Sequence, residues 1–222
     1  MEDQSVTVAT CRGGRSFAFE PAKTALLAID MQKDFFDPRG GTAQLDGNCG
    51  GLPAAIPAVG RLTALARRLG CNVVHTREGF APDLSDLPAL RAGNDTVGRP
   101  GPLGRFLVRG EPGQDFVEEL RPEPGELVID KPGFGAFGLT DLDGRLKEMG
   151  VSHLILSGVT TQCCVHSTLR EAVDLGYWCL TVADACAAVE PAWHEAALSL
   201  IASEDHLFGW VCDLADLEAA AA

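Results

Sequence analysis

Five short, continuous apolar runs limit what this chain can fold into: "TALLAID" (24–30), "CNVVHT" (71–76), "ELVID" (126–130), "HLILS" (153–157) and "WCLTVAD" (178–184). Each has strand length and lacks polar alternation, the pattern of a strand buried on both faces. Helical patterns separate them, at 53–69, 139–149, 162–176 and 191–203. In the first of these, Ile56, Val59, Leu62, Leu65, Ala66 and Leu69 form one stripe, Arg67 and Arg68 fall in the last turn, and Gly70 follows as a C-cap. Doubly buried strands that alternate with helices predict an α/β protein. The expected form is a three-layer α/β/α fold around a central, mostly parallel sheet of Rossmann-like topology, with residues 1–222 as a single domain. Residues 79–126 are rich in Gly, Pro and charge and are too long for a connecting turn, so they are expected to shape a site.

Charge and length narrow the partners. A formal net charge of −13 repels phosphate backbones and acidic bilayer surfaces, which excludes nucleic acid and membrane as expected partners and leaves a small-molecule substrate. No apolar run approaches the ~18–20 residues of a membrane span. The first residues, "MEDQSVTVATCRGG", show neither a basic start with an apolar core nor a cleavage site, so a cytoplasmic location is expected. The eight cysteines form no Cys-x-x-Cys pair and are read as reduced thiols.

In wound parallel sheets, ligands gather outside the carboxyl ends of the strands. Asp30 closes the first run, Lys131 follows "LVID", and Cys164 lies one tight turn beyond "LILSG". A carboxylate, an amine and a thiol converging there suit nucleophilic catalysis, because a cysteine needs a proton acceptor and a partner for its thiolate. Singly, each has an ordinary structural explanation as a loop cap, a solvated amine or a small core residue. Helix periodicity places Cys164 beside the packed face of Val165, Leu169, Ala172 and Val173, and Cys163 nearer the polar side. Both lie in a first helical turn, where free N–H groups and the dipole favour a thiolate. Periodicity favours Cys164 only slightly.

The three segments "LLAIDMQKDFF", "LVIDKPGFGAF" and "LSGVTTQCCVHSTLREAVDLGY" together resemble the isochorismatase-like cysteine hydrolases, over roughly residues 22–212. The resemblance implies Asp30 as general base, Lys131 as charge stabiliser and Cys164 as nucleophile, with Cys163 a bystander. It also implies a cis peptide between Val159 and Thr160, and an oxyanion hole made by the N–H groups of Thr160 and Cys164. It implies no cofactor.

Within this superfamily Cys164 points to attack on a carbonyl rather than vinyl-ether cleavage. No metal is expected, since the five histidines lack ligand spacing and "AQLDGNCGGLPAAIP" contains none. The strings "VVHTREGFAPDLSDLP", "GPLGRFLVRGEPGQDFVEEL" and "IDKPGFGAFGLTDL" resemble the biuret hydrolase branch, whereas "FGWV" (208–211) is shared with ureidoacrylate amidohydrolases. The expected reaction is therefore hydrolysis of a biuret- or triuret-type amide with release of ammonia through a thioester, with a ureidoacrylate-type substrate as the alternative. Phe35, Phe134 and Glu204 are the expected substrate contacts, and Glu204, standing where the branch carries Gln, would favour the donor-rich triuret. A homo-oligomer, dimer or tetramer, is expected. A competing class is a nucleotide-binding module using "GFGAFG" (133–138), but the following strand ends "LILSGV" without the acidic residue such a fold requires.

Overall fold

A computed structural model describes residues 5–93 and 96–222. An antiparallel hairpin, β1 (Val6–Ala9) and β2 (Ser16–Phe19), precedes the main sheet, which contains β3 (Thr24–Ile29), β4 (Asn72–Glu78), β5 (Leu127–Lys131), β6 (His153–Val159), β7 (Trp178–Ala187) and β8 (Trp210–Cys212). Their spatial order is β8-β7-β6-β3-β4-β5 and every adjacent pair is parallel. The larger helices are α1 (Ala55–Leu69), α2 (Leu142–Glu148), α3 (His166–Asp174), α4 (Pro191–Ile201) and α5 (Leu214–Ala220).

The period of two along β3 builds the three layers. Leu26 and Ala28 face one core, with Val59, Leu62 and Leu65 of α1 and Leu214 and Leu217 of α5. Ala25, Leu27 and Ile29 face the other, with Leu142 and Leu146 of α2, Leu169 and Ala172 of α3, and Leu198 and Ile201 of α4. Because both faces are covered, the strand interiors are mostly apolar, and functional groups collect at the carboxyl ends. Among the described residues no helix is long and apolar enough to cross a membrane. All eight cysteines are free thiols.

Three elements lie outside the sequence expectation. The hairpin β1–β2 packs through Val6, Val8, Phe17 and Phe19 into the α1 side of the core. The three residues of β8 add an edge strand beyond β7. Residues Leu214–Ala220 form α5, which buries Leu214 and Leu217. Before α3, residues Thr161–Val165 form a wide π-type turn, so the helix carrying the two cysteines begins irregularly.

Candidate active site

β3 ends at Asp30, whose backbone turns into the left-handed region at φ 54° and so leaves the strand abruptly. Asp is among the residues that tolerate this conformation. Its carboxylate is fully buried. Thr76 Oγ1 donates to Asp30 Oδ1 at 2.6 Å, and Lys131 Nζ lies 2.7 Å from Asp30 Oδ2. The Lys131 ammonium, also fully buried, donates in addition to the carbonyl oxygens of Gly133 (2.8 Å) and Phe134 (2.9 Å). Two carbonyl hydrogen bonds and the ion pair with Asp30 thus surround the ammonium. Burial works against its charge, but Asp30 first, then Cys164 and Glu78, outweigh that penalty and hold the Lys131 pKa above that of a free lysine.

Cys164 reaches this pair from β6. Gly158, at φ +108°, lies so close to β3 that a Cβ there would run into the Ile29 carbonyl oxygen. Glycine is therefore required for the close approach. The Val159–Thr160 peptide that follows is cis, and the π-type turn then carries Thr161, Cys163 and Cys164. Thr161 Oγ1 and His194 Nδ1 lie 2.8 Å apart, tying this turn to α4. Cys164 is buried and Cys163 half-buried.

The Cys164 thiol donates to Glu78 Oε2 at 3.5 Å, and ligand atoms of Asp30, Glu78 and Cys164 all lie within 4.8 Å of one another. Glu78 closes β4 and is held from behind. Gln32 Oε1 accepts from the Glu78 N–H at 2.7 Å while Gln32 Nε2 donates to the Glu78 carbonyl at 2.8 Å. Its other carboxylate oxygen, Oε1, accepts from Arg91 Nη1 at 2.5 Å. The guanidinium of Arg91 stacks over the rings of Phe134 (4.2 Å to the centroid) and Phe80 (5.1 Å).

The charges of this cluster balance. Asp30 and Glu78 are offset by Lys131 and Arg91, so an ionised thiol would add an uncompensated negative charge in a dry site. Accordingly the Cys164 thiol, which shares a hydrogen bond with Cys163, is buried and faces both carboxylates, has its pKa pushed well above the ordinary thiol value, with Lys131 pulling the other way. Cys164 therefore rests as a thiol, and transferring its proton to a neighbouring carboxylate would leave the total charge of the site unchanged. The three donors Asp30, Glu78 and Cys164 would also interest a cation, but the Lys131 ammonium already compensates Asp30 from within the cluster.

The structure therefore brings Asp30, Lys131 and Cys164 together and sets the Val159–Thr160 turn beside them. It places the expected substrate contacts differently. Phe134 is at the mouth, 44% exposed and under Arg91. Phe35 is buried on the α1 side of the sheet, edge to face with Phe106 and in the same core cluster as Phe80. Glu204 is a correction. It is exposed and follows α4, which runs back from the carboxyl end of β7 to the amino end of β8, so it lies on the opposite edge of the sheet. The "GFGAFG" loop is likewise no phosphate cradle. Glu171 accepts from Phe137 N–H at 2.8 Å, and its carboxylate fills the space against Gly135, so a negative charge already occupies the loop.

Sequence reasoning missed Glu78, Gln32 and Arg91. For Glu78 the signal existed, a carboxylate two residues beyond "CNVVHT", because β4 runs on to Glu78. Arg91 lies on a four-residue helical turn, Ala89–Ala92, inside the long loop and gave no such signal.

A parallel α/β/α sheet with a thiol, two carboxylates and an ammonium at its strand ends defines a hydrolase-type nucleophilic centre rather than a nucleotide site. The chain belongs to the isochorismatase family: residues 24–216 match the isochorismatase domain. It is similar to the ureidoacrylate amidohydrolase RutB of Serratia proteamaculans, 32% identical over 90% of this chain and 83% of that protein. Among solved structures it resembles an isochorismatase family protein from Desulfovibrio vulgaris (31% identity, TM-score 0.77, covering 89% of this chain and 97% of that one). It also resembles a cysteine hydrolase from Pseudomonas syringae (27% identity, TM-score 0.79, covering 91% and 95%).

Proposed function

We propose that the protein is a cysteine amidohydrolase that cleaves a C–N bond of a small linear ureide, with a ureidoacrylate-type compound as the favoured substrate. The single observation that carries the reaction class is the buried cluster in which the Cys164 sulfur stands against Glu78 and within reach of Asp30, itself paired to Lys131.

In this reading Asp30 takes the proton of Cys164 as the sulfur attacks the ureide carbonyl. The charge passes from sulfur to the carbonyl oxygen, which the N–H groups of Thr160 and Cys164 hold. Such a preorganised donor pair contributes about 3–4 kcal/mol to an acyl-transfer step. The tetrahedral adduct collapses, the amine leaves with the proton returned from Asp30, and a thioester remains on Cys164. Water, deprotonated by Asp30, attacks that carbonyl and the thiol is regenerated. Lys131 keeps Asp30 oriented and balances the charge throughout. Glu78, whose carboxylate borders the sulfur, accepts an N–H of the substrate.

The substrate preference is supported by the similarity to ureidoacrylate amidohydrolases and by the position of Glu204. A preference for triuret would need Glu204 beside Cys164, and Glu204 lies on the far edge of the sheet. Release of ammonia from ureidoacrylate, biuret, triuret and nicotinamide tests the proposal. Ureidoacrylate is expected to show the highest kcat/KM, and turnover confined to biuret or triuret would refute the preference.

A further inference from the structure

The cation at the mouth of the site has a geometry that a structural ion pair does not require. Arg91 uses Nη1 to bind one oxygen of Glu78, and among the described residues this is the one hydrogen bond its guanidinium makes. A guanidinium carries five donors in a planar fork that fits a carboxylate through two parallel bonds. Here the contact to Glu78 is single, because the second carboxylate oxygen faces Cys164. The group sits over the Phe134 ring, 4.2 Å from its centroid; Phe134 is 44% exposed, and the Arg91 side chain retains 18% exposure. Phe134 is also joined to the chemistry, since its carbonyl accepts from Lys131. Arg91 thus bridges the long loop and the turn after β5, with Nη1 on the buried carboxylate and the other guanidinium donors uncommitted among the described residues.

We propose that Arg91 is the specificity residue for a substrate carrying a carboxylate beyond its ureide, and that the incoming carboxylate takes the guanidinium in a two-point contact and draws it from Glu78. The exchange is balanced: one carboxylate replaces another on the same cation, and the aromatic platform supports the guanidinium in both positions. Glu78, released, then has both oxygens available for substrate N–H groups. Neutral ureides of the same size cannot make the exchange and leave Glu78 engaged. This assignment deepens the proposed function and rests on that reading for its substrate, but not for the anion site itself.

The test reads the anion site without turnover. Cys164 is alkylated with iodoacetate and with iodoacetamide, modification at that residue is followed by peptide mass spectrometry, and the ratio of the two rates is compared between wild type and Arg91→Gln. Because both reagents attack the same thiolate, the ratio cancels any change in thiol ionisation. The ratio is expected to fall by roughly 10- to 100-fold, the range for losing a charge-assisted hydrogen bond in a largely desolvated site. An unchanged ratio in folded Arg91→Gln overturns the proposal and leaves Arg91 as a counter-ion of Glu78 alone. The wild type supplies a second reading that needs no variant: propionate should slow alkylation by iodoacetamide and propionamide should not, and equal protection by the two overturns the proposal. If these ratios behave as expected while ureidoacrylate is not turned over, the anion site stands and the substrate reading fails.

Discussion

Replacing Lys131 with Met removes the one ammonium that compensates Asp30 while preserving the length and most of the volume of the side chain. Both groups are fully buried, 2.7 Å apart, so Lys131→Met leaves a carboxylate without its cation and leaves the Gly133 and Phe134 carbonyls without their donor. Breaking one half of a buried pair costs about 3–5 kcal/mol. In a chain of this length 1 kcal/mol corresponds to roughly 2–4 °C in Tm, so the midpoint should fall by about 6–20 °C. Asp30→Asn should fall by a similar amount, because it strands the ammonium. The double variant Asp30→Asn/Lys131→Met contains no unpaired charge, and the Asn side chain can still accept from Thr76. It should therefore cost no more than either single change, an interaction energy of about 3 kcal/mol or more. Urea unfolding followed by circular dichroism, with equal m-values required across the four proteins, measures the cycle. A double variant destabilised by the sum of the singles would refute the claim that the pair acts as one unit. Activity should be lost in all three variants, so the stability cycle, and not turnover, carries this test.

Three further outcomes follow from the same geometry. Cys164→Ser should abolish nearly all turnover and Cys163→Ser should keep most of it, since only Cys164 faces Glu78 from within the cluster; steady-state rates on the best ureide decide this, and equal loss would reassign the nucleophile. Asp34, 2% exposed, has its pKa raised by burial to about 6, against the hydrogen bonds from the Leu107 and Gly41 N–H groups. The folded state then binds more protons than the unfolded state between about pH 4 and 6, so this residue makes the protein more stable as pH falls through that window and less stable as it rises. Relative to Asp34→Asn, the wild type should gain about 2 kcal/mol on going from pH 6 to pH 4, read by denaturant unfolding, and parallel pH profiles would sink the assignment. Gly158→Ala forces a Cβ into the Ile29 carbonyl at a backbone conformation L-residues avoid, so it should cost several kcal/mol and separate the β3 and β6 ends; a variant with wild-type Tm and rate would contradict the packing described.

Much of the architecture is written into local pattern. Continuous apolar runs such as "TALLAI" and "HLILS" can only be buried on both faces, and their alternation with helical stripes leaves a parallel sheet as the arrangement that covers them. The rule that such sheets collect ligands at their carboxyl ends then selected Asp30, Lys131 and Cys164 from a chain with 31 acidic residues and eight cysteines. Periodicity alone left Cys163 and Cys164 nearly even, because the turn that carries them is π-type and an ideal helical wheel does not describe it.

What only the tertiary structure decided is which distant residues share the site and on which edge each lies. Glu204 read plausibly as a substrate contact until α4 was seen to return the chain to the amino edge of the sheet. The glycine-rich "GFGAFG" matched a phosphate loop in sequence, and its space is taken by Glu171, 34 residues from the N–H group it binds. Glu78 and Arg91 meet across a loop whose conformation depends on packing against Phe80 and Phe134, and no local propensity encodes that meeting. The physical reason is common to all three. Side-chain period and strand length act over a few residues and are legible in one dimension, whereas the balance of buried charge is settled among groups that approach only after the sheet and its loops have closed.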